Sequence, residues 1–264
     1  MLTKGIADTR VMKLSIIIPA FNEAETIEAV VERIRAVDLG NISKEIVVVD
    51  DASDDDMPRI LDRLTGIQVI RHSVNSGKGA ALSTGIRAAT GEVVIFQDAD
   101  LEYAPEDYPA VIEPILNGVC DVVMGSRFLR ERPVFWGQHK SPYLNHYIGN
   151  LLIQHVTNIL YGRRFTDYEG CYKAFLRSHL LDTPIEATGF EFDNELICKL
   201  LRKHMRIREV PIRYNPRTYS QGKKITWRHG LIILWTIVKW RFHPLEVTGP
   251  APIGTRRYRS DPSS

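Results

Sequence analysis

Apolar residues in the first half of the chain fall into short runs that alternate with helical stripes. "KLSIIIPAFN", from Lys13, reads as a buried strand ending at Pro19, with residues 1–12 before it as a flexible leader. In "EAETIEAVVERIRAV", Ile27, Val30, Val31 and Ile34 recur at helical spacing. "KEIVVVDDASDDD" predicts a second strand that stops on acids, with Ser53 or Asp54 placed to cap a helix over 55–64. "IQVIRH" gives a third strand, "GKGAALSTGIRAAT" an Ala-rich helix, and "GEVVIFQDAD" a fourth strand. A helix over 105–117 opens with Pro105, a favoured first-turn residue, and "CDVVMGSR" gives a fifth strand. Strands that alternate with helices, several of them continuous apolar runs, predict an α/β fold: a mainly parallel sheet with helices on both faces.

The second half is less regular. Residues 128–143 form a loop rich in Pro, Arg and aromatic residues, long enough to be functional. Over 144–161, Leu144, Ile148, Leu151, Leu152, Val156, Ile159 and Leu160 make one helical stripe. "TDYEGCYKAF" shows no clear period; a helix near 190–203, the strand "RIREVPIRY", a polar loop to about 224 and a helix over 226–240 follow. The composition from 243 to 264 predicts a disordered tail.

Composition narrows the class. With 264 residues, 44% hydrophobic and 25% charged, the chain suits one large soluble domain or two small ones. A net charge of +2 argues neither for nor against nucleic acid. Cys120, Cys171 and Cys198 lie far apart with no C-x-x-C pair, so they read as reduced, buried thiols. The eight histidines include no H-E-x-x-H pair, which argues against a histidine metal site. No run reaches the roughly 18 apolar residues of a spanning helix; the nearest, "GLIILWTIV", is half that length.

Ligands of parallel sheets sit beyond the carboxyl ends of the strands. Four predicted strands end there on "PAFNE", "DDAS", "DAD" and "GSR". Asp98 and Asp100 alternate along the fourth, which in an extended chain points both to one side, with Glu102 close by. Carboxylates held together repel unless a proton or a cation lies between them. Mg²⁺ and Mn²⁺ take such oxygens and join them to substrate phosphates. Taken alone, the same acids also describe an ordinary polar turn. Phe21 and Glu23 offer a ring and an acceptor to a nucleoside, and Asp51 a carboxylate to base or ribose. Lys78, between two glycines at a helix start, stands where a phosphate is favoured, although the Walker pattern is not met.

In that order, "SIIIPAFNEAETI", "VVVDDASDD", "NSGKGAAL", "DADLEY" and "GSRF" resemble family 2 glycosyltransferases of the GT-A fold. Within them they are similar to the branch of dolichyl-phosphate mannose synthases and polyprenyl-phosphate sugar transferases. The resemblance covers roughly 13–242 and implies one catalytic domain, with a nucleotide-binding half over 13–127 and an acceptor-binding half over 128–242. It implies inverting transfer of a hexose from a nucleotide sugar, of GDP-mannose or UDP-glucose type, to a polyprenyl or dolichyl phosphate, with Mg²⁺ or Mn²⁺. Pro19, Ala20, Phe21, Glu23 and Asp51 would then contact the nucleoside, and Lys78, Asp98 and Ala99 the donor. Asp98, Asp100 and Glu102 would meet the metal, with Asp100 the principal ligand. Glu102 departs from the Gln usual in the branch.

Arg127 would touch a donor or acceptor phosphate, with Arg130 as a further phosphate partner. Arg217 and Lys223, in the basic loop "RYNPRTYSQGKK", would stabilise the leaving diphosphate, with Lys224 beside them. Asp167 would face the acceptor, with Glu169 the weaker choice; the "EGCYKAF" that follows only partly matches the branch. Trp227, Leu231, Leu234, Trp235 and Val238 share a helical face near basic residues, which suits peripheral contact with the cytoplasmic face of a membrane and equally a helix docked on the sheet. A glycan or soluble acceptor is the alternative, and a nucleotide-sugar-binding protein without catalysis a second. No nucleic-acid partner is expected.

Overall fold

In the computed structural model the described residues are 12–129, 144–215 and 227–245. The expected leader and tail fall outside them, apart from residue 12 and residues 243–245. The chain runs β1 (Lys13–Ala20), α1 (Ile27–Ala36), β2 (Ser43–Asp50), α2 (Met57–Arg63), β3 (Gln68–Arg71), α3 (Lys78–Ala88) and β4 (Val93–Phe96). A short 3-10 turn at Pro105–Asp107 leads into α4 (Tyr108–Leu116), then β5 (Val122–Ser126) and α5 (Leu144–Tyr161). β6 (Lys173–Leu176), α6 (Arg177–Leu181), α7 (Phe192–Arg202), β7 (Ile207–Pro211) and α8 (Trp227–Phe242) complete it.

The strands form one sheet in the order β3-β2-β1-β4-β6-β5-β7, parallel except for β6, which runs antiparallel to both β4 and β5. Alternation along the strands sorts the core. Leu14, Ile16 and Ile18 meet α1, α2 and α4 on one face. Ile17, Val94 and Phe96 meet α3 and α7 on the other. The doubly wound sheet of the sequence reading is therefore present, and the two halves of the chain share it, because β6 and β7 extend the sheet that β1 to β5 begin.

Several local expectations change. β1 continues through Pro19 to Ala20. Ile17 O accepts from Gln97 N and Ala20 O from Asp51 N, so Pro19 turns its missing N–H toward the β4 side, beyond the end of that strand. Ser53 and Asp54 do not cap α2: both bond Asn22, and it is Asp55 Oδ1 that accepts from Met57 N. β6 was not legible as a strand, since its four residues carry the buried Lys173 and lie next to a run of loop. The stripes on α5 and α8 do not simply face the core. Ile153, Ile233, Ile237 and Trp240 are buried between these helices and α7, whereas Ile148, Leu152, Ile159, Leu231 and Trp235 are exposed.

Candidate active site

The sheet order reverses direction between β1 and β4, so a crevice opens beyond their carboxyl ends. β1 ends on Pro19 and Ala20, the segment after it carries Phe21 and Glu23, and the segment after β4 carries Asp98 to Glu102. A cross-link ties the two together: Thr26 Oγ1 donates to Ala99 O at 2.7 Å and lies 3.2 Å from Glu23 Oε2. Ala20 and Ala99 are buried, while Pro19, Phe21 and Glu23 are half-buried at the rim.

The strand stops at Phe96, and residues 99–102 form a turn with Leu101 at φ 61°. Alternation therefore does not govern Asp98, Asp100 and Glu102, and they have separate surroundings. Asp98 meets Lys78, whose Nζ donates to its Oδ1 at 2.6 Å. Burial opposes ionisation of Asp98, but the neighbouring ammonium outweighs it and holds the carboxyl below its ordinary range. Burial likewise opposes the charge on Lys78, yet Asp98, with Asp193 near, raises its pKa. Asp100 Oδ1 accepts from Glu102 N at 3.1 Å, a local turn bond that leaves both half-buried carboxylates on one short segment.

Those two carboxylates offer hard oxygen donors, which fit Mg²⁺ or Mn²⁺. No group of three or more His, Cys, Asp or Glu side chains gathers as a metal cluster among the described residues.

Asp51 is almost fully buried and lies behind the crevice. Its carboxylate accepts from Ser76 N and Gly77 N at 2.9 and 2.8 Å, and His72 Nδ1 lies 2.7 Å from it. It thus fixes the loop that launches α3 and presents Lys78. Gly77 is needed there: its φ is 95°, and a Cβ would come within 2.5 Å of Thr188 O.

At the end of β5, Arg127 is clamped by Asp167 through Nε–Oδ2 at 2.7 Å and Nη2–Oδ1 at 2.9 Å. The Arg127 N–H adds a third bond to Oδ2 at 3.0 Å. Tyr214 and Phe128 flank the guanidinium, 5.0 and 5.4 Å from their ring centres. Burial disfavours the charge of Arg127, but Asp167 more than compensates and keeps it firmly protonated. Asp167 itself is buried with its oxygens engaged, an arrangement that holds Arg127 rather than presenting an open carboxylate.

Glu209 on β7, which no motif marks, underlies this clamp. Its Oε1 accepts from Thr166 N, Thr166 Oγ1 and Asp167 N at 2.7, 3.0 and 2.9 Å. Lys173 is likewise unmarked by any motif: wholly buried on β6, it donates to Gly170 O at 2.5 Å and lies 3.4 Å from Asp193. Glu169 accepts from Asn194 at 2.7 Å, and burial raises its pKa. Lys173 shows as a charge inside an apolar run, whose meaning only burial gives, whereas Glu209, between Arg208 and Val210, carries no such signal.

Tyr214 bridges to Tyr103, and Asn215 N donates to Glu102 O at 2.8 Å. The basic segment therefore leaves the described chain beside the acidic turn. Arg130, Arg217, Lys223 and Lys224 lie outside the described residues.

A doubly wound sheet with an acidic turn and a fixed arginine at its carboxyl edge is a GT-A-like arrangement. The chain belongs to glycosyl transferase family 2, whose family model matches residues 15–182. It is 28% identical to the UDP-N-acetylglucosamine–dolichyl-phosphate N-acetylglucosaminyltransferase of Methanococcus voltae, over 84% of this chain and 94% of that protein. It is 30% identical to the dolichol-phosphate mannosyltransferase of Pyrococcus furiosus, over 80% of this chain but 59% of that protein. Glucosyl-3-phosphoglycerate synthase of Mycobacterium tuberculosis, solved with Mn²⁺, uridine diphosphate and phosphoglyceric acid, superposes with a TM-score of 0.68. That likeness covers 89% of this chain and 80% of the other at 21% identity, and concerns the fold.

Proposed function

We propose that this glycosyltransferase moves a hexose from a nucleotide sugar to a polyprenyl phosphate, with inversion at the anomeric carbon. The observation that carries the reading is Arg127, a buried guanidinium held charged by Asp167 at the end of β5. Asp167 takes the Nε and Nη2 edge of that guanidinium, and the Nη1 edge it leaves suits a phosphate oxygen. The names of the two relatives point to the same acceptor class.

A phosphate acceptor is already ionised, so no base is needed. Its oxygen attacks the anomeric carbon, the bond from that carbon to the diphosphate oxygen breaks, and the electron pair leaves on the nucleoside diphosphate. In this reading Arg127 orients the attacking phosphate and Asp167 positions Arg127. Lys78 holds Asp98 ionised beside the donor, and the half-buried rim of Phe21 and Glu23 receives the nucleoside. Asp100 and Glu102 would hold a divalent cation, which as a Lewis acid lowers the cost of charge on the departing diphosphate. Arg217 and Lys223 would add positive charge from the segment that begins beside Glu102.

The lipid side of the reading rests on α5 and α8. No helix among the described residues is long and apolar enough to cross a membrane. Yet Ile148, Leu152 and Ile159 of α5 and Leu231, Trp235 and Phe242 of α8 are exposed, and neither helix contains an acidic residue. An apolar face bearing Trp, with Arg228, Lys239 and Arg241 on the same helix, fits the surface of an anionic bilayer.

The test is a screen of GDP- and UDP-hexoses against a short-chain polyprenyl phosphate, with and without Mn²⁺. Radiolabel should enter the organic phase only with divalent ion, and Asp100→Ala should lower the rate by at least about a hundredfold. Label that stays in the aqueous phase with a soluble acceptor would overturn the lipid acceptor. Full transfer by Asp100→Ala without divalent ion would overturn the metal role.

A further inference from the structure

Beside α3, on the far side of the His72–Asp51 pair, a groove of ≈ 580 Å³ runs between the end of β3, that helix and residues 185–188. Its volume lies within the range of small-molecule sites, roughly 300–1,000 Å³. The walls are fixed in place. Glu195 accepts from Glu186 N and Ala187 N at 2.8 and 2.9 Å, and Ala80 N donates to Thr188 O at 3.1 Å. One face of α3 supplies Ala80, Ser83, Thr84 and Arg87, at helical spacing. Ser73, Ser76 and Thr188 add further hydroxyls around the cavity.

The charges are unequal in a useful way. Arg71 is already occupied by Asp62 at 2.7 Å and Asp50 at 3.6 Å. Glu186, the acid of the lining, is bonded by Lys239 at 2.6 Å, which holds its pKa down and neutralises it. Arg87 has no carboxylate within ion-pair range among the described residues; its Nη2 donates to Thr84 Oγ1 at 3.2 Å. A guanidinium without a counter-ion at the mouth of a hydroxyl-lined groove matches an anion whose own body carries hydroxyls.

We propose that this groove binds a small phosphorylated polyol, such as a sugar phosphate, with the phosphate on Arg87 and the hydroxyls on the Ser and Thr wall. The site is separate from the donor crevice. It is joined to that crevice by a continuous chain: Thr84 Oγ1 to His72 Nε2 at 3.0 Å, His72 Nδ1 to Asp51 at 2.7 Å, and Asp51 to the N–H groups of Ser76 and Gly77. Ser76 belongs both to the lining and to the loop that presents Lys78, so the amides of that loop would report occupancy.

The experiment is a titration of the ¹⁵N-labelled full chain, without donor or metal, with glucose 6-phosphate, inorganic phosphate and glucose in parallel. The expected result is saturable shifts at the amides of Ser76, Gly77, Ser83 and Thr84 with glucose 6-phosphate, weaker ones with inorganic phosphate and none with glucose. Arg87→Gln, an exposed change, should weaken binding roughly tenfold. Ser83→Leu, which fills the groove and leaves the charge, should abolish it. Asp100→Ala should bind as the parent does. Shifts centred on residues 98–102, undiminished binding by Arg87→Gln or Ser83→Leu, or no saturable shift with glucose 6-phosphate would each overturn the proposal. Equal affinity for inorganic phosphate would overturn its polyol half.

Discussion

At the scale of single residues, the site is organised by pairs that lie far apart in the chain. Lys78 and Asp98 each stand about a fifth exposed and 2.6 Å apart, so each charge depends on the other. Asp98 titrates in the folded protein below its ordinary 3.8, so its stabilisation is present above that pH and is lost as pH falls through the lower folded value. Lys78 titrates above its ordinary 10.5, so its share holds below that pH and is lost only in stronger alkali. Lys78→Met should therefore cost about 2–3 kcal/mol at pH 7, somewhat less than a fully buried pair, and should flatten the acid limb of a stability–pH curve below about pH 4. Urea unfolding from pH 2 to 8 measures both.

The second pair makes a different prediction. Asp167→Asn should raise the acceptor KM about tenfold or more while leaving the donor KM near its parent value, because only the hold on Arg127 is weakened. Glu209→Leu should follow it, since the loop over 166–167 loses its acceptor, and Glu209→Gln should restore most of the loss. Steady-state kinetics against both substrates decide this. The sequence marked Lys78, Asp98, Arg127 and Asp167 as bearing chemistry. It did not show who partners whom, because separations of 20 and 40 residues carry no local signal.

At the scale of elements, periodicity located nearly every helix and strand but not which face each helix would bury. α1 followed its pattern, with Ile27, Val30, Val31 and Ile34 all in the core. The apolar residues of α5 and α8 outnumber what one buried seam can take, so the seam through Ile153, Ile233 and Ile237 was decided by the packing of these helices on each other and on α7. The surplus, with Trp235 67% and Ile159 80% exposed, is left outside. Paired Ile159→Ser and Trp235→Ser changes should lower cosedimentation with anionic vesicles at least fivefold without lowering the melting temperature, since neither side chain packs in the core. β6 was illegible for the opposite reason: four residues are too few for a period, and Lys173 interrupts their polarity. Gly77→Ala tests a backbone requirement, because both the positive φ and the carbonyl of Thr188 oppose a Cβ; a loss above about 1 kcal/mol by thermal melting is expected.

At the scale of the whole molecule, the stretches 13–127 and 128–242 are not separate bodies. β4 would lose its neighbour β6, and β5 both β6 and β7, if the chain were cut after residue 127. A fragment over 12–127 should therefore show no cooperative thermal transition by circular dichroism, whereas the intact chain should show one. All three cysteines are free and buried, and burial pushes the Cys198 thiol up to about 12. Thiol reagent at pH 8 should accordingly react only as the chain unfolds, which makes labelling a second probe of that transition.

The sequence by itself determined the alternation of strand and helix, the edge on which chemistry would collect and the family to which the chain belongs. The first two are written in residue spacing and strand-end composition, which are local, and the family in the resemblance of five ordered motifs to its other members. Only the tertiary structure decided that the DAD segment is a turn, that Asp167 serves Arg127, that Glu209 and Lys173 stand behind the site, and that two helices keep an apolar face outside. Those outcomes depend on which distant groups share a low-dielectric interior, and pairing there is fixed by the packing of the sheet rather than by order along the chain.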